Sequence, residues 1–228
     1  MSKLLLQVIA LLSFTTVFGQ LTNISNGEGG APFRLSAKSE SINGTRFFPE
    51  EYILGTVIDF DGAKERVMLK FDMYNNAIIA DNAGQALQLY NSAYPEFQFS
   101  YAEGDAIKDY IFKTGYTFEN KPKFYYQVLF SSTNVDLLKK TELEVKTINK
   151  TEYGGGTTTV SKFENVDTFY LVDKDGKVIT LELKKSKIID ALDNDSGAIK
   201  DYIKSQGLKF RQESDLVQVV EFYLSQNA

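Results

Sequence analysis

The chain of 228 residues contains no cysteine, no histidine and no tryptophan. Without cysteine no disulfide can staple the fold, so the core alone must hold it. Without cysteine or histidine there can be no Ser-His-Asp or Cys-His nucleophilic site, no thiolate or imidazole zinc site, and no haem held by either residue. Any chemistry must use carboxylates, lysine, tyrosine, serine or threonine. An excess of positive charge is also missing: 25 Lys and Arg stand against 30 Asp and Glu, a formal net charge of −5. That balance argues against nucleic acid or an anionic membrane surface as the main partner. Beyond the first 19 residues no apolar run approaches the roughly 20 residues needed to cross a bilayer.

What is abundant is aromatic. Phe and Tyr together make up 13% of the chain, and each buries a large area, so aromatic packing is expected to replace disulfides. The first 19 residues read as a secretory signal peptide: Lys3, an apolar run from Leu4 through Leu12 to Phe18, then Gly19 before Gln20. With no cysteine at that junction, a lipid anchor there is excluded. The expected product begins at Gln20 and is exported, to the periplasm, the cell surface or the medium.

Residues 20 to 50 are rich in Gly, Ser and Asn and read as a flexible leader, ordered at most where Phe33 and Leu35 dock. Alternation begins near Tyr52. Val67, Leu69 and Phe71 share one strand face, while Arg66, Met68, Lys70 and Asp72 share the other, expected to be wet. The pattern returns in TELEVKTI and KVITLEL, with turn signals between the runs at Asp61-Gly62, Asn75-Asn76, Asn82-Ala83-Gly84, Gly154 to Gly156 and Asp175-Gly176. Residues 51 to 183 are therefore expected to form one antiparallel meander sheet, open or curved into a half-barrel. From residue 184 the period becomes helical. Ile188, Ile189 and Leu192 form one stripe, Ile199, Tyr202 and Ile203 a second, and Leu216, Val219, Val220 and Tyr223 a third. Three short C-terminal helices should pack on the same domain, giving an α+β, mainly β fold.

The string AIKDYI occurs twice, at Ala106 and at Ala198. The first copy lies among strands and runs into Phe112, whereas the second lies among helical stripes and ends near Gly207. Context overrides propensity over so short a string, so the first is read as strand and the second as helix. The likeness does not extend on either side, which argues against a duplicated unit.

Few residues carry candidate chemistry. Asp173-Lys174-Asp175-Gly176 begins like a calcium loop but meets Val178 and Lys184 where the pattern needs Gly and an acid, so it reads as a hairpin turn. In LDNDSG, Asp195 or Ser196 is expected to cap the following helix, as Ser214 or Asp215 is for the last. Asp59 and Asp61 could pair as a carboxylate dyad, or simply be solvated acids beside a turn. Lys184, Lys185 and Lys187 could meet an anionic group, or form a solvated helix start that opposes the helix dipole. FYYQVLF is aromatic on both faces. It is either central between two layers, or Phe124, Tyr125, Tyr126 and Leu129 turn one face to a ligand or partner. Asn23, Asn43 and Asn149 each begin an N-glycosylation acceptor pattern, which is too short to carry weight.

At GTVIDFDGAKERVMLKFDMYNNAI, FYYQVLFSSTNVDLLKK, FYLVDKDGKVITLELKKSKIIDAL and LKFRQESDLVQVVEFY, the chain resembles uncharacterised secreted β-meander proteins of Gram-negative bacteria. The resemblance covers most of residues 52 to 224. It implies a hairpin at DKDG and a helix at the second AIKDYI, and it brings no catalytic residues with it. Three functional readings follow, none needing a cofactor or a metal. The first is an exported, non-catalytic protein of the cell envelope that binds a protein or envelope partner. The second is a periplasmic carrier holding an apolar small molecule between a curved aromatic sheet and the helices. The third is a hydrolase using Asp59 and Asp61.

Overall fold

The computed structural model describes residues 29–35, 42–120, 123–151, 155, 157–193 and 197–226. The signal segment, the Asn23 pattern, Gly154, Gly156, Asp195 and Ser196 lie outside the described residues. Among the described residues eleven strands form one antiparallel sheet: β1 Gly30–Pro32, β2 Phe47–Ile58, β3 Lys64–Asp72, β4 Ala77–Asn82, β5 Gln85–Leu89, β6 Glu96–Glu103, β7 Ala106–Lys113, β8 Tyr126–Ser131, β9 Val135–Thr151, β10 Thr157–Asp173 and β11 Val178–Leu181. Three α-helices follow among the described residues: α1 Lys185–Leu192, α2 Ala198–Ser205 and α3 Glu213–Gln226. The expected α+β meander is the observed fold.

The spatial order is β1-β5-β4-β3-β2-β6-β7-β8-β9-β10-β11, two meanders joined where β6 adds beside β2. The sheet is strongly curved. Strands β3 and β7 stand three places apart, which in a flat sheet means about 14 Å. Yet the rings of Phe71 and Phe112 lie 5.0 Å apart. Asn76, in the turn after β3, also accepts a hydrogen bond from the Tyr125 backbone N–H at 2.7 Å and donates to its carbonyl at 3.2 Å, although Tyr125 sits just before β8. The concave face is an aromatic core in which Phe97 stacks on Phe112 at 4.6 Å and Phe99 stacks on Tyr110 at 5.4 Å. Tyr125 and Tyr94 are buried among them.

Over β8 to β11 the sheet is covered on both sides. Leu137, Phe169, Leu171 and Leu181 face the helices, meeting Ile188, Ile199, Ile203, Leu216, Val219 and Val220. On the opposite face Tyr126, Leu138, Tyr170 and Val172 lie under Tyr116, Phe118 and Phe124 from the loop before β8. This explains why FYYQVLF is apolar on both faces. Leu129 is the extra residue of a bulge between Val128 and Phe130. The bulge turns Leu129 and Phe130 together towards the helices.

Two expectations need correction. The leader is ordered beyond the expected docking of Phe33, whose ring does meet Phe47 edge-on: Gly30–Pro32 pairs with β5, and β2 already begins at Phe47. Asp72, assigned by alternation to the wet face, is fully buried, because it accepts the Arg46 guanidinium through both oxygens at 2.8 and 2.5 Å. The same carboxylate accepts the backbone N–H groups of Tyr74 and Asn75. Arg46 in turn lies over the Tyr74 ring at 5.0 Å, so the entry to β2 is tied to the end of β3.

Candidate ligand groove

The curved sheet leaves an opening between its concave aromatic face and the start of α3. The resulting groove has a volume of about 540 Å³, within the usual range of small-molecule sites, about 300–1,000 Å³. Its apolar floor is Phe48 from β2, Phe71 and Met73 at the end of β3, and Tyr110 and Phe112 from β7. Its polar wall comes from β6 to β10 and from the turn into α3: Glu103, Lys108, Gln127, Lys139, Asp167, Arg211 and Glu213. The turn is held in place by Asp215, whose carboxylate accepts the backbone N–H groups of Lys209 at 3.1 Å and Phe210 at 2.7 Å. Asp215 therefore braces the approach to α3 rather than capping it, and Phe210 takes up a positive φ of 54° to make the turn.

The wall charges are paired unevenly. Lys139 is largely buried, with 14% of its side chain exposed, and bridges Glu213 at 2.7 Å and Asp167 at 3.0 Å. Burial pulls its pKa down, but the two carboxylates more than reverse this, so the ammonium is held above its ordinary value. Glu103 accepts hydrogen bonds from Lys108 and from the Tyr110 hydroxyl, which hold its carboxyl below the ordinary value against a smaller upward push from burial. Burial, followed by the bond to Glu103, pushes the Tyr110 phenol upward. Asp167 also accepts from the Thr141 hydroxyl at 2.7 Å. Every acid of the wall is thus held by a donor, and Lys108 and Lys139 are occupied in holding them. Arg211, exposed at the rim, makes no ion pair or hydrogen bond among the described residues.

The residues singled out in the sequence fall elsewhere. Tyr125 and Tyr126 are 2% and 0% exposed, and Phe124 and Leu129 are partly buried against core residues, so this strand turns its rings inward. Lys184, Lys185 and Lys187 are exposed at the start of α1, where Lys184 is an N-cap without a side-chain cap bond. Asp59 spends Oδ1 on the backbone N–H groups of Asp61 at 2.9 Å and Ala63 at 2.8 Å, so it shapes the hairpin turn; neither acid lines the groove. Asp173 likewise closes its own turn, accepting from Asp175 and Lys177. A second cavity of about 290 Å³ adjoins that turn, but its Asp136 is already bound by Tyr116 and Ser131.

The sequence reading raised a pocket between a curved aromatic sheet and the helices but named none of the residues that line this groove. One signal was available: Lys139 and Lys140 follow two leucines in a long strand, where a lysine pair implies buried ammonium groups with partners. The chain matches no protein-family model, no curated protein and no solved structure.

Proposed function

We propose that this is an exported, non-catalytic binding protein that carries a small, largely apolar molecule in the groove between its aromatic concave sheet and the C-terminal helices. The observation that carries this reading is the 540 Å³ groove itself, with Phe48, Phe71, Met73 and Phe112 as an apolar floor under a polar rim. The electrostatics favour holding over catalysis. In the groove Glu103 is moved down and Lys139 and Tyr110 are moved up, each away from neutrality, whereas general acid–base work wants a group poised near the working pH. Native mass spectrometry of protein recovered from its own envelope or medium tests the reading. A reproducible excess over the denatured mass, removed by organic extraction, is expected. A bare native mass together with failure to take up any apolar probe would end it.

A second reading, docking to an acidic envelope partner, has the lysine cluster in its favour. Lys184, Lys185 and Lys187 are all exposed and make no ion pair among the described residues. Crosslinking in intact cells with all three changed to Glu separates the two: a partner lost on charge reversal supports docking, and an unchanged pattern removes it.

A further inference from the structure

The pairing of charges around the groove says what kind of head its occupant carries. The wall holds three cations and three acids, which sum to zero, but they are not paired one to one. Lys139 spans both Asp167 and Glu213, while Lys108 serves Glu103. One cation, Arg211, is left over at the rim. A cationic head entering the groove would have to compete with Lys108 and Lys139 for carboxylates that already make charge-assisted bonds. An anionic head meets no such competition. A guanidinium also offers paired N–H donors that match a carboxylate or phosphate edge.

A second polar group can serve the same head without selecting its charge, because an amide offers both a donor and an acceptor. Gln127, on β8, lines the groove and its side-chain amide makes no hydrogen bond among the described residues, so a donor is free on the sheet side as well. Below these groups the floor offers only rings and the Met73 thioether. The two ends of the site therefore ask for different chemistry.

We infer that the groove selects an amphipathic acid, its anionic head on Arg211 and its apolar body on Phe48, Phe71, Phe112 and Met73. This rests on the carrier reading above and sharpens it to a ligand class.

Titration calorimetry of the purified, delipidated full chain with dodecanoate, dodecanol and dodecyltrimethylammonium tests it. Wild type and the Arg211→Gln and Arg211→Lys variants are compared. Arg211 is exposed and bonds to nothing described, so its replacement leaves the fold intact, as a matched unfolding curve would verify. Dodecanoate is expected to bind wild type most tightly and to weaken about 10- to 100-fold in Arg211→Gln, the worth of a charge-assisted hydrogen bond. Arg211→Lys should recover part of the loss, the neutral probe should ignore either change, and the cationic probe should not weaken in either. Equal binding of dodecanol and dodecanoate, untouched by Arg211→Gln, would overturn the inference while leaving the carrier reading standing. Binding of none of the three probes would overturn both.

Discussion

The same six residues, AIKDYI, build a strand at Ala106–Ile111 and a helix at Ala198–Ile203. In β7 the alternation buries Tyr110 in the aromatic core and leaves Ile107 78% exposed. In α2 the helical stripe buries Ile199 and Ile203, at 3% and 0% exposure, and stacks Tyr202 on Phe222 at 4.1 Å. The flanks decide between them. The first copy follows β6 across a tight Gly104 turn and continues into Phe112, which extends the period of two. The second is bracketed by Gly197 and Gly207, both at positive φ, and the Leu208 N–H returns to the Ile203 carbonyl to finish the helix. Local propensity is identical in the two places. Flanking residues and tertiary surroundings together therefore supply the whole difference, and each residue's energetic weight should change with it.

The largest expected effect concerns the buried ion pair that ties β2 to β3 at the edge of the aromatic core holding the strand copy's Tyr110. Asp72→Ala leaves Arg46 buried without its partner and should cost about 3–5 kcal/mol in urea unfolding. A loss near zero would mean that the joining of β2 to β3 does not depend on this pair. Next come the matched isoleucines. Ile199→Ala or Ile203→Ala should cost about 2–5 kcal/mol as core truncations, whereas Ile107→Ala should stay within about 0.5 kcal/mol. Equal costs at Ile107 and Ile199 would contradict the assignment of the two copies.

The smallest effect sharpens the comparison at the hydroxyl. Tyr110→Phe removes the bond to Glu103 and should cost about 1 kcal/mol, whereas Tyr202→Phe, whose hydroxyl bonds to nothing described, should be neutral. The Tyr110 effect has a pH signature. Because the folded pKa of Glu103 is depressed, its stabilisation is present above the ordinary carboxylate pKa and is lost as pH falls through the depressed value. Wild type and Tyr110→Phe should differ at neutral pH and converge in strong acid. A gap that persists in acid would put the loss down to packing.

Much of the architecture was legible because period and punctuation agree locally. Val67, Leu69 and Phe71 announce their strand, and Ile188 with Leu192 announces a helix. Asp72 was not legible, because the partner that draws it inward, Arg46, stands 26 residues away. Three residues at Gly30–Pro32 are too few to show any alternation. The groove was hidden for the same reason as Asp72. Phe48, Tyr110, Lys139 and Arg211 belong to four distant segments, and only the curvature of the sheet brings them to one opening. The aromatic strand was conspicuous in the sequence for what proved to be a structural cause, the two layers that enclose it.

Besides Met1 the chain has two methionines, and they report on different places. Met73 lies in the groove floor, while Met68 points from the other face of β3 and lies outside the groove. Methyl carbon-13 spectra of the methionine-labelled protein during a dodecanoate titration therefore test the central claim directly. The account predicts that the Met73 resonance moves to saturation while Met68 stays in place. A saturable shift at Met68 with Met73 unmoved, or no shift at either during measurable binding, would place the ligand elsewhere and contradict it.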